Sequence, residues 1–121
     1  MNAVRHSVRA ACKGATPLPS PRRGWESIYC FTEDSLVFAG HFPGHPVLPA
    51  VVQILMGQTV VERALGGNIR LRGVPQAKFL APVGPGTEIS IVVEAGQQEG
   101  LWQCSLSAGG ILLSRYAFQA E

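Results

Sequence analysis

Charge is scarce in this chain. Only 15% of its 121 residues are Asp, Glu, Lys or Arg, while 46% are hydrophobic. Typical soluble domains carry about 25% charge, so this balance argues against disorder and points to a buried interface. Acidic residues are missing altogether from residues 1–23, which hold Arg5, Arg9, Lys13, Arg22 and Arg23. The remainder has five basic and eight acidic residues, a balance of −3. The basic residues come without interleaved aromatics, which excludes an ordinary nucleic-acid surface. Cysteine is limited to Cys12, Cys30 and Cys104, with no Cys-x-x-Cys pair. Neither a zinc ribbon nor a redox pair is indicated, and a reducing cytoplasm is the default location. No apolar run reaches signal-peptide or membrane length. Internal repeats are lacking too, and no cofactor is expected.

A chain of this length is one domain, small enough to gain from dimerisation. Residues 14–24 read as a Pro-rich linker, so residues 1–24 are expected to form a basic, solvated leader ahead of a domain spanning 25–121. Ser27 to Thr32 reads as a first strand and Glu33-Asp34-Ser35 as a turn. Ala50 to Leu65 has helix length, contains no proline and is apolar around most of its circumference, so it is predicted to be buried. Its β-branched residues mean that packing rather than propensity holds it, and Gly66-Gly67 should end it. Strands are predicted from Arg70 to Val83, interrupted at Pro75, and then over Thr87–Ala95, Leu101–Ala108 and Ile111–Gln119. Ile89, Ile91 and Val93 alternate with polar Glu88, Ser90 and Glu94, the period of a half-buried strand. One buried helix followed by antiparallel strands is an α+β pattern.

The most informative segment is Phe38-Ala39-Gly40-His41-Phe42-Pro43-Gly44-His45-Pro46-Val47-Leu48-Pro49. Its prolines fix φ and its glycines permit unusual backbone geometry, so it reads as a rigid loop. That loop sets His41 beside the electropositive start of a helix, a suitable place for a base. His41 and His45 are four apart, but the prolines between them preclude a helical metal pair. No metal site is expected.

The same segment closely resembles the active-site motif of the 3-hydroxyacyl-acyl carrier protein dehydratases of type II fatty acid synthesis, His-Phe-x-Gly-x-Pro-x-x-Pro-Gly. His41, Phe42, Gly44, Pro46 and Pro49 match, and Ala50 replaces the last glycine. The resemblance implies a hot-dog fold, an antiparallel sheet wrapped around the central helix, with two sheets paired edge to edge in a dimer. It implies that His41 is the base and that the N–H of residue 50 polarises the thioester. It makes Phe42, Gly44, Pro49, Ala50, Leu55 and Gln58 the candidate substrate-binding residues. An acyl carrier protein, or another pantetheine thioester, becomes the expected partner. The basic leader, or Arg70, Arg72 and Lys78, can attract its acidic surface.

One departure stands out. The family's acid falls fourteen residues after the histidine, where this chain has Leu55. Leucine transfers no proton, and losing a general acid costs about 10² to 10⁴ in rate. Gln58 lies on roughly the same helical face but is a poor proton donor. Glu62, two turns further along, reads as a solvated residue near the helix end. The leading expectation is a dehydratase-like protein that binds acyl-carrier thioesters. The alternatives are a non-catalytic acyl-binding protein, or a subunit paired with a related chain that supplies the acid. A hot-dog thioesterase is a third reading, which the lack of an acid at Leu55 also disfavours.

Overall fold

The computed structural model describes residues 2–39 and 44–121. Helix α1 (Asn2–Ala11) leads into a short strand β1 (Thr16–Pro17) and β2 (Gly24–Tyr29). A single 3₁₀ turn, Leu36–Phe38, precedes the long helix α2 (Ala50–Leu65). Four strands follow: β3 (Leu71–Phe79), β4 (Ile89–Ala95), β5 (Leu101–Ala108) and β6 (Ile111–Ala120). Together the strands form one six-stranded sheet in the order β1-β2-β4-β5-β6-β3, every pairing antiparallel. The hot-dog arrangement predicted from the sequence is the one observed, and the bounds of α2 are those expected.

The strand pattern explains the layering. Ile89, Ile91 and Val93 of β4 are fully buried, as are Leu106 of β5 and Phe118 of β6. These inward residues meet Val52, Met56, Val60 and Val61 of α2 in one core. Full burial of each such side chain contributes about 1.5–3 kcal/mol, which offsets the poor intrinsic propensity of a valine-rich helix. Gly57 sets how closely helix and sheet approach. A Cβ there would lie 2.6 Å from the Tyr116 hydroxyl and 2.8 Å from Cys104 Sγ. At the far end Gly66 adopts φ 76°, and its N–H donates to the Glu62 carbonyl (2.9 Å). Only glycine takes that left-handed cap without strain, so the helix stops where predicted.

Two expectations need correction. The first strand begins earlier, at Gly24, and ends at Tyr29 rather than Thr32. Its start is set by pairing with β1, with Thr16 opposite Glu26, inside what reads as a linker. Nor is the N-terminal segment a solvated tail. Val8 is fully buried and Cys12 nearly so, both within the main core. The tail reading failed because α1 carries an apolar stripe on one face, and that stripe finds α2 to pack against.

β3 lies at one edge of the sheet and is the most exposed of its long strands. Its register slips between Gly73 and Gln76, around Pro75, which has no N–H to give a ladder. Leu71, Val74 and Phe79 remain exposed along it, as does Leu80 just beyond.

Candidate active site

The N-terminal turn of α2 forms the floor of an open cavity of about 290 Å³, lined by Val47, Leu48, Ala50, Gln53 and the Phe79–Pro82 segment after β3. Pro49 occupies the cap position (φ −66°, ψ 152°) and has no side-chain capping bond. Its carbonyl accepts from the N–H groups of Val52 and Gln53, both at 3.1 Å. Among the described residues, the N–H groups of Ala50 and Val51 meet no acceptor. A helix start carries a partial positive charge there, so these donors suit an oxygen that gains negative charge. The alanine that replaces the motif glycine retains this N–H.

Leu48 holds the approach to the helix. Its N–H donates to the Val83 carbonyl (2.7 Å), and its carbonyl accepts from Gln53 Nε2 (3.2 Å). The other end of the Gln53 amide, Oε1, accepts from Ser114 Oγ at 2.7 Å. Gln53 and Ser114 are both buried. Gln53 was not among the candidate site residues. The signal available in the sequence was an amide one turn into an otherwise apolar helix.

Leu55 is buried within the hydrophobic core, apolar on its own account and among apolar neighbours. The hydroxyls around its turn are already committed. Thr59 Oγ1 donates to the Leu55 carbonyl (2.8 Å), Tyr29 to the Met56 carbonyl (3.0 Å) and Tyr116 to the Gln53 carbonyl. The Tyr116 oxygen also accepts from the Gly57 N–H at 3.2 Å, so it sits between two partners of the helical ladder. Burial pushes the Tyr29 and Tyr116 hydroxyls and the Cys104 thiol well above their ordinary pKa values. They stay neutral across the physiological range.

Gln58 is also buried, and its Nε2 donates to the Ile69 carbonyl (3.3 Å). Glu62 departs further from expectation, being 7% exposed rather than solvated. Its carboxylate accepts from Arg5 Nη2 (2.7 Å), Arg9 Nη2 (3.4 Å) and the Ile69 N–H (3.0 Å). The leader's arginines neutralise it, which is what makes its burial affordable. Paired twice and accepting three bonds, Glu62 has both side-chain oxygens engaged by the scaffold. His41 and Phe42 lie outside the described residues. Gly44 and His45, which are described, are exposed. Among the described residues no His, Cys, Asp and Glu side chains gather as a metal site, and no helix is long and apolar enough to cross a membrane.

Comparison with known proteins places these features in context. Residues 21–112 match the model of a family described as ApeI-like, the ApeI dehydratases. A 3-hydroxyacyl-[acyl-carrier-protein] dehydratase FabZ from a Caulobacter species is 34% identical over 83 residues, 61% of this chain and 51% of that protein. The chain thus spans about half the length of such curated relatives. Among solved structures, the dehydratase heterocomplex ApeI:P from Xenorhabdus doucetiae aligns at TM-score 0.76 and 18% identity, covering 90% of this chain and 95% of that one. The fluoroacetyl-CoA thioesterase FlK aligns at TM-score 0.65 and 12% identity, covering 83% of this chain and 86% of its own. At such low identities the two structures show the shared fold.

Proposed function

This chain belongs to the ApeI-like dehydratase family, and from that premise we propose that it binds acyl-pantetheine thioesters and serves the dehydration of 3-hydroxyacyl groups as one half of a composite site. In that reaction His41 takes the proton from the carbon next to the thioester. The electrons form the new double bond, and the bond to the 3-hydroxyl breaks. The departing oxygen takes a second proton and leaves as water. The N–H of Ala50 stabilises the charge that gathers on the thioester oxygen meanwhile.

The observation that carries this reading is the contrast between a helix start whose first two N–H groups meet no acceptor among the described residues and a buried, apolar Leu55, the position to which the motif resemblance assigns the acid. The protein has the parts for polarisation and lacks the part for protonation. Glu62 is tied to two arginines, and the nearby hydroxyls are spent on carbonyls. The acid therefore comes from a second, related chain. The exposed β3 edge is the surface for it, because an uncovered strand edge lined by Leu71, Val74 and Phe79 is a template for pairing. A dehydratase heterocomplex of this fold exists in ApeI:P from Xenorhabdus doucetiae. The expected carrier of the substrate is an acyl carrier protein, as in the names of the FabZ relatives.

The test follows hydration of an enoyl-pantetheine thioester by absorbance. The protein alone should bind the thioester and turn it over feebly. Leu55→Glu should raise turnover by about 10², the scale of one general acid. His41→Ala should abolish activity in either background. High activity in the unmodified protein alone would refute the composite site. A folded Leu55→Glu variant with no activity would favour a non-catalytic acyl-binding role.

A further inference from the structure

We infer that Gln53 is a positioning residue for thioester polarisation, fixing the Leu48–Pro49–Ala50 corner that presents the helix-start donors. The inference rests on the thioester-binding reading above and extends it to a residue outside the motif.

Gln53 is 4% exposed, yet it lines the cavity beside Ala50. Every polar group of its backbone and side chain has a partner. Its N–H donates to the Pro49 carbonyl, and its own carbonyl accepts from the Tyr116 hydroxyl. Nε2 donates to the Leu48 carbonyl and Oε1 accepts from Ser114 Oγ. The orientation of the amide follows from chemistry. A serine hydroxyl can donate or accept, but a backbone carbonyl only accepts, so the NH₂ end must face Leu48.

The result is a relay across the fold. β6 holds Gln53 through Ser114 and Tyr116, and Gln53 holds the Leu48 carbonyl. On its other side Leu48 is tied to Val83. Proline caps the helix without a side-chain bond, so ordinary capping does not orient this corner. An apolar residue of equal size would fill the same space and serve the core as well. The amide accepts a hydrogen bond from Ser114 and donates one to Leu48 at once, which no apolar residue can do. Charge stabilisation by fixed dipoles demands that the donors be held before the substrate arrives, and this relay supplies the restraint.

The experiment uses crotonyl-pantetheine labelled with ¹³C at its carbonyl, bound to the full chain. Affinity and the infrared C=O stretch are read together. In the unmodified protein, binding should lower the stretch frequency. Gln53→Leu should lose most of that shift and bind about tenfold more weakly, the scale of about one buried hydrogen bond. Ser114→Ala, which frees only one end of the amide, should lose part of the shift, and it carries the test if Gln53→Leu does not fold. Val93→Ala, a core truncation on β4 away from the cavity, should keep the shift at a comparable loss of denaturation midpoint. A full shift in Gln53→Leu, or an equal loss in Val93→Ala, would overturn the positioning role. An unmodified protein that binds no thioester would overturn the functional reading beneath it, and this inference with it.

Discussion

The two ends of α2 are built to opposite rules. At the C-terminal end the buried polar side chains are spent. Glu62 is sealed by Arg5, Arg9 and the Ile69 N–H, and Gly66 caps the last turn. At the N-terminal end Ala50 and Val51 are exposed, and among the described residues their N–H groups find no acceptor. The closed end confers stability, because buried charge is tolerable only when paired. The open end gives up some stability and retains donors that a ligand can use. The same helix thus shows a carboxylate that belongs to the scaffold and a turn that keeps its donors open.

Breaking the seam between the ends should have the largest effect on stability. Gly57→Val would drive a branched side chain into the Tyr116 hydroxyl and Cys104, and should destabilise the protein by about 3 kcal/mol in denaturant titration. Glu62→Ala should come next, at about 2 kcal/mol, because α1 loses its main polar anchor. The figure sits below that for a fully buried pair because the Arg5 and Arg9 side chains are 31% and 45% exposed. The variant should leave thioester binding at the far end unchanged, measured by calorimetry. Loss of binding there would collapse the division between the ends.

Alkaline pH sharpens the comparison further. Cys104, Tyr29 and Tyr116 have folded pKa values raised by burial. Their contribution is complete below the unfolded values, about 8.5 for Cys and 10 for Tyr, and is lost as pH rises toward the folded ones. Stability should fall by about 2 kcal/mol between pH 8 and pH 10, with Cys104 responsible for most of it. Cys104→Ala should flatten that slope in urea titrations at several pH values. The smallest effect is expected from Tyr116→Phe, about 1 kcal/mol, since the Gln53 carbonyl and Gly57 N–H that the hydroxyl bridges are natural ladder partners for each other. A cost several times larger would mean that the hydroxyl shapes the turn around Leu55 rather than merely decorating it.

The strands and α2 were legible because their signals are local. Period-two alternation in β4 and an unbroken apolar run from Ala50 to Leu65, closed by paired glycines, each lie within a few turns of chain. Less visible were α1 and β1. Thr16–Pro17 is too short to announce a strand, and the arginines of α1 read as solvated until Glu62 is brought beside them. Proline-rich composition between them pointed to a linker, whereas Leu18 N–H pairs with the Gly24 carbonyl and turns the segment back onto β2.

The amino-acid sequence alone determined the hot-dog architecture, the limits of α2 and the loop motif that surrounds His41. All of these depend on residue type at short spacing. Only the tertiary structure decided that Glu62 is a neutralised anchor and that Gln53 ties the helix start to β6. Their partners lie 57 and 61 residues away in the chain, at Arg5 and Ser114. Whether a buried polar side chain is scaffold or chemistry depends on which partners consume its hydrogen bonds, and distant partners leave no periodicity to read.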